Sequence, residues 1–183
     1  MTTLLGIAGS LRRMSYNRSL LRAAQAAAPA GVELKIETID DVPLYNGDVE
    51  AAEGLPASVV RLKAAIAACD GLLLVTPEYN NGIPGVFKNA IDWMSRPAAD
   101  IPRIFGDKPV AVIGASPGGF GTILSQTGWL PVLRTLGCRS WHGGRLMVAH
   151  AGSMFDAEGN LTDDGIRERL KGFVAGFAAF SGK

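Results

Sequence analysis

Gly71-Leu72-Leu73-Leu74-Val75-Thr76 is a continuous apolar run stopped by Pro77. The run is too short for an ordinary helix, and successive residues of a strand face opposite sides of its sheet. A strand that is apolar on both faces is covered on both faces, so it belongs at the centre of a parallel sheet. Leu4 to Gly9 upstream and Pro109 to Ala115 downstream have the same character. Val32 to Thr38 alternates (Val32, Leu34, Ile36, Thr38), which predicts a strand with one more exposed face. Arg145 to Ala149 is the expected fifth strand.

Helical spacing fills the intervals. Asn17 is placed to N-cap a helix over 18–28, with Leu20, Leu21, Ala24, Ala27 and Ala28 near one face. Pro56 suits a first helical turn, and Val59, Leu62, Ile66 and Cys69 follow it at helical spacing. Pro84 starts another helix, with Val86, Phe87, Ala90, Ile91 and Met94 inward, and Trp93 reads as packing or a subunit contact. A further helix runs to about Leu136. Thr162, with Asp163 and Asp164, opens the last one, whose stripe is Ile166, Leu170, Phe173, Phe177 and Phe180. The segment 40–55 reads as a polar loop with an acidic tilt. Strand and helix alternate five times without a repeat, a linker or a shift in composition. The expectation is one α/β domain over residues 1–183, with helices on both faces of a parallel sheet.

Composition excludes several classes. The 183 residues carry 18 Lys+Arg against 17 Asp+Glu, a net charge of +1, so no basic footprint for nucleic acid or an anionic membrane surface exists. At 48% hydrophobic residues the chain is not disordered. No apolar stretch approaches the ~18 residues of a membrane span, and no signal peptide is apparent, so a cytoplasmic location is expected. Cys69 and Cys138 are too few for a disulfide scaffold and have no metal-ligand spacing; both read as small buried apolar residues. His142 and His150 read as polar surface or strand-end residues. Glycine is the outlier, at 23 residues, nearly twice the usual ~7%.

Open parallel sheets bind ligands beyond the carboxyl ends of their strands. Three post-strand loops therefore matter: 9–17, 77–85 and 116–121. The first, Gly9-Ser10-Leu11-Arg12-Arg13-Met14-Ser15-Tyr16-Asn17, leads into a helix N-terminus and contains no acid. Free N–H groups, short hydroxyl and amide donors and Arg12 suit an anion, although a capped helix with two solvated arginines would read the same way. The text is neither a P-loop nor the glycine fingerprint of dinucleotide folds. The second, Pro77-Glu78-Tyr79-Asn80-Asn81-Gly82-Ile83-Pro84-Gly85, is a stiff turn able to offer backbone groups to the edge of a heterocycle, with Tyr79 beside its face. The third, Ser116-Pro117-Gly118-Gly119-Phe120-Gly121, lets backbone approach a ligand closely.

Taken together, the blocks Gly9-Ser10-Leu11-Arg12…Ser15-Tyr16-Asn17, Thr76-Pro77-Glu78-Tyr79-Asn80…Pro84-Gly85…Lys88-Asn89-Ala90-Ile91-Asp92-Trp93 and Ser116-Pro117-Gly118 resemble the NADPH-dependent FMN reductase family, closest to its chromate/quinone reductase and azoreductase branch. The resemblance implies a flavodoxin-like three-layer sandwich with a five-stranded parallel sheet of order 2-1-3-4-5. It implies non-covalent FMN, with the phosphate on Ser10, Arg12, Ser15, Tyr16 and Asn17. The isoalloxazine would rest on Pro77, Glu78, Tyr79 and Asn80, with Ser116, Gly118 and Gly119 on its far side. NADPH or NADH would be the electron donor. Quinones, azo compounds, chromate or other metal ions, or free flavin would be the small-molecule acceptor, reached by ping-pong transfer. Homodimers or homotetramers are implied, with Tyr45 and Asn46 reaching a neighbour's site. No catalytic dyad and no metal site is expected. Two other readings stand beside this one: a flavodoxin-like electron carrier with no nicotinamide reaction, which the neutral charge disfavours, and a sensor of a phosphate-bearing ligand.

Overall fold

The computed structural model describes residues 1–182. Parallel strands β1 (Thr2–Ala8), β2 (Val32–Glu37), β3 (Gly71–Val75), β4 (Pro109–Ala115) and the two-residue β5 (Arg139–Ser140) lie in the order β2-β1-β3-β4-β5, the flavodoxin-like order the resemblance implied. Each residue of β3 is buried, as its two apolar faces required. Leu73 and Val75 point into one core and Leu72 and Leu74 into the other. Helices α1 (Tyr16–Ala26) and α7 (Asp164–Ser181) cover the first face. Helices α3 (Ala57–Ala68), α4 (Gly85–Met94), the single turn α5 (Ile101–Ile104) and α6 (Ile123–Thr135) cover the second. Burying each large apolar side chain of these layers is worth about 1.5–3 kcal/mol.

Several local expectations need correction. The first helix is capped by Ser15, whose hydroxyl accepts from the Asn17 N–H; Asn17 itself lies inside the helix. The last helix is capped by Asp163 rather than opened at Thr162. The polar segment 40–55 contains a short helix, α2 (Gly47–Glu53), which buries no residue and is capped by Asn46. It is held by side chains: Glu50 accepts from Arg96 at 3.0 Å and from the Tyr45 hydroxyl at 2.9 Å. Asn89 and the Trp93 indole both donate to the Pro43 carbonyl, and Trp93 is fully buried. Tyr45 and Asn46 are thus bonded within their own chain.

The expected strand 145–149 is a split edge. β5 pairs Val110 with Ser140, whereas β6 (Met147–Val148) pairs Gly114 with Met147. The offset between partners grows from 30 to 33, so the connection holds three residues more than an unbroken strand would. Val112 lies between the two short pairings and has no strand partner on that side. Glycines at packed positions have specific causes. A Cβ on Gly9 would sit 2.1 Å from the Phe87 ring, and one on Gly176 2.9 Å from Trp141. Gly172, in the same helix as Gly176, has no neighbour within 4 Å of that position, so packing does not account for it.

Candidate functional site

The three strand-end loops meet in a cleft of about 280 Å³ at the carboxyl end of the sheet. It joins Ser10, Arg12, Ser15, Tyr16 and Asn17 from the first loop to Pro77, Glu78 and Tyr79 from the second and Ser116 from the third. Asn80, Gly118 and Gly119 lie outside the lining, at exposed positions of the same loops. Two larger hollows, of about 420 and 360 Å³, lie against α1 and α7 and beside α6; no residue of the three loops lines either. We place the site in the smaller cleft because the sequence concentrates its short donors there.

The first loop is built to leave donors free. Ser10 is buried, and its hydroxyl accepts from the Arg12 N–H at 3.3 Å and lies 3.4 Å from the Tyr79 hydroxyl. Arg12 is exposed, and among the described residues its guanidinium bonds the Met14 carbonyl alone, at 3.0 Å, so most of its donors are free. The first-turn N–H groups of a helix have no intrahelical acceptor. Here Ser15 satisfies that of Asn17, leaving the others for an anion at the positive end of α1. Asn17 is buried with its amide committed: it donates to the Ala115 carbonyl and accepts from the Ala115 N–H, both at 2.9 Å. It ties the first loop to the third. Arg18, which the sequence reading passed over, donates to the Ser10 carbonyl at 3.0 Å and pairs with Asp40, fixing the loop from behind.

The second loop turns on Asn80 and Asn81, both in the left-handed region (φ 49° and 61°), between Tyr79 and Gly82, which exchange backbone hydrogen bonds. Two consecutive left-handed residues make a type I′ turn, and asparagine tolerates that region better than other side chains. Glu78 sends its carboxylate away from the cleft. Oε2 accepts from the N–H groups of Leu124 at 2.8 Å and Ser125 at 2.9 Å, capping α6, whose N-cap residue Thr122 makes no side-chain cap. Fully buried Thr76 continues the join: its hydroxyl lies 2.8 Å from that of Ser125 and accepts from the Trp129 indole at 3.2 Å. The loop is therefore bolted to α6 and presents its backbone and Tyr79 to the cleft. No signal in the sequence marks the Thr76 and Glu78 contacts, because their partners lie 46 to 53 residues away.

The third loop is anchored at its start, where Ser116 donates to the Val148 carbonyl and accepts from the Ala151 N–H, each at 3.0 Å. At Gly118 it stands open, with nothing within 4 Å of a Cβ built there. The cleft thus has a donor-rich, acid-free end at α1 and an open wall at Ser116 and Pro117, beyond which Gly118 and Gly119 stand exposed, and its one lining carboxylate is engaged elsewhere. A phosphate fits the first and a flat ring system the second. Among the described residues no cluster of His, Cys, Asp and Glu could hold a metal, and no helix is long and apolar enough to cross a membrane.

Known proteins share this chain's sequence and fold. The sequence profile described as NADPH-dependent FMN reductase matches residues 2–153. The chain belongs to the NADPH-dependent FMN reductase family. It is 43% identical over 167 residues to an NAD(P)H-dependent FMN reductase of Pseudomonas aeruginosa, covering 91% of this chain and 88% of that one. It is 37% identical over 174 residues to a 2-hydroxy-1,4-benzoquinone reductase of Burkholderia, covering 95% and 93%. Among solved structures, FerB of Paracoccus denitrificans, a flavoenzyme NAD(P)H:(acceptor) oxidoreductase, superposes with a TM-score of 0.87 at 36% identity, over 100% of this chain and 98% of that one. Membership of this reductase family makes the protein an oxidoreductase.

Proposed function

We propose that residues 1–183 act as one FMN-binding unit that takes hydride from NADPH or NADH and passes electrons to small acceptors, with quinones foremost and azo compounds, chromate and free flavin in the same range. The observation that carries this reading is the cleft itself, which joins the anion-receptive end of α1 to the rigid turn at Pro77 to Tyr79 and to Ser116 and Pro117, with Gly118 open next to them. The FMN phosphate lies on Ser10, Arg12, Ser15 and the free N–H groups of α1. When bound, the isoalloxazine supplies the hydride-accepting centre that the side chains lack. The residues orient and polarise it. Pro77 and the type I′ turn fix one wall, Tyr79 stands beside the ring, and the backbone of Ser116 to Gly119 offers donors where negative charge develops. Donor and acceptor use the open side of the cleft in turn, which is a ping-pong scheme. We further propose that the protein works as a homodimer or homotetramer.

The test begins with colour. Purified protein or reconstituted apoprotein is expected to be yellow, and anaerobic NADPH is expected to bleach it within seconds. Failure to bind FMN would refute the reading, and a persistently oxidised spectrum would make the protein an electron carrier instead. Arg12→Ala is expected to raise the FMN dissociation constant roughly 10- to 150-fold, the worth of a charged hydrogen bond of about 1.5–3 kcal/mol. An unchanged titration curve would remove Arg12 from the phosphate site.

A further inference from the structure

His150 lies outside the residues assigned to FMN, and its surroundings single it out. Its backbone is left-handed (φ 49°, ψ 43°), a conformation uncommon for any residue but glycine. That backbone is clamped. Its N–H donates to the Gly118 carbonyl at 3.1 Å, and its carbonyl accepts from the Ser153 hydroxyl at 2.9 Å and the Ser153 N–H at 3.0 Å. The imidazole lies against the third loop, Cε1 3.7 Å and Nε2 3.8 Å from where a Cβ on Gly119 would be. Gly118, beside it, has nothing within 4 Å of the same position. His150 is exposed, and neither ring nitrogen bonds a protein group among the described residues. A strained backbone thus holds a free hydrogen-bond donor beside two residues that have no side chains to intervene. Glycine would serve the turn alone without strain, so the imidazole is the part that needs explaining.

We propose that His150 is a further cofactor-contacting residue, one that favours the reduced form of the bound flavin. This inference rests on the function proposed above. Hydride transfer moves two electrons and one proton together, so the nicotinamide gains one positive charge and the cofactor one negative charge. A donor N–H carried next to Gly119 by that clamped backbone interacts with the added charge more strongly than with the oxidised ring, and its effect is on the potential.

The experiment compares wild type, His150→Gly and His150→Gln by anaerobic dye-equilibrated potentiometry, together with titration of each apoprotein by oxidised FMN. Glycine accepts the left-handed backbone, so the turn is retained. His150→Gly is expected to bind oxidised FMN about as tightly as wild type. Its affinity for the reduced form is expected to fall about tenfold relative to the oxidised form, which lowers the midpoint potential by about 30 mV for a two-electron couple. His150→Gln, which keeps a donor, is expected to recover most of that shift. An unchanged potential in flavin-loaded His150→Gly overturns the proposal, as does a glutamine variant indistinguishable from glycine. Wild-type protein that takes up no FMN would overturn the function reading first, a result separable from either.

Discussion

Replacing Glu78 by alanine tests whether its carboxylate serves α6 or the ligand. The carboxylate accepts two backbone hydrogen bonds, from Leu124 and Ser125, at the start of a helix whose Thr122 provides no side-chain cap. Removing an N-cap acceptor costs about 0.5–2 kcal/mol, and loss of a charge at the positive helix end adds about 0.3–1 kcal/mol. Water reaches the Leu124 N–H, so the total expected is about 2 kcal/mol rather than the sum of two buried charged bonds. For a chain of this size that lowers the melting temperature by about 4–8 °C. Glu78→Gln keeps an acceptor but not the charge, and about half the loss is expected. The assay is thermal and urea unfolding of flavin-free protein, so that ligand linkage plays no part. An unchanged apoprotein melt accompanied by weaker FMN binding would refute the reasoning, because it would assign the carboxylate to the ligand.

Asn17→Ala strands the Ala115 N–H and carbonyl in a buried position; a loss of about 3 kcal/mol is expected in urea unfolding, with faster amide exchange at Ala115. The Asp100 carboxyl is held below its ordinary 3.8 by the Lys63 ammonium and then by Arg103, and the Asp41 carboxyl is held down chiefly by Arg61. A carboxyl depressed in the folded state contributes stability that is present above its unfolded value and lost as pH falls through the folded one. Stability should therefore drop as pH falls below about 3.8, with a shallower drop in Asp100→Asn, as followed by acid titration of the unfolding midpoint. Burial pushes the Cys138 thiol up to about 12 and raises that of Cys69. Both should stay silent toward a disulfide reagent at pH 8 and react once urea unfolds the chain.

The central strands were legible because each is apolar on both faces, a pattern with one physical solution at that length. The far edge was not. Arg139-Ser140 carries no apolar run, and its pairing with β4 is set by the turn after α6, so only the second half of the edge, Met147-Val148, showed in the text. Helix α2 was missed for a related reason: it buries nothing, and its stability comes from the Asn46 cap and from Glu50 held by Arg96 and Tyr45. In the site, positions read better than roles. Asn17 and Glu78 both line the cleft, yet each side chain is spent on backbone, 98 and 46–47 residues away. Separations of that size leave no periodic trace. His150 carried no signal either, since its proximity to Gly119 depends on how the split edge returns to β4.

The broken edge has a consequence for solubility. An exposed sheet edge is a template for another chain's strand and invites aggregation. On this side an incoming strand would meet two dipeptides out of register by three residues, with Val112 isolated between them. On the opposite side the outer strand β2 shows Glu33 and Lys35 to solvent, charges of the kind that discourage strand addition. The first flank offers no continuous ladder, and the second, continuous over Val32–Glu37, is guarded by charge. The exposed apolar side chains Ile123, Leu124 and Leu130 stand instead on α6, a helix face rather than a sheet edge.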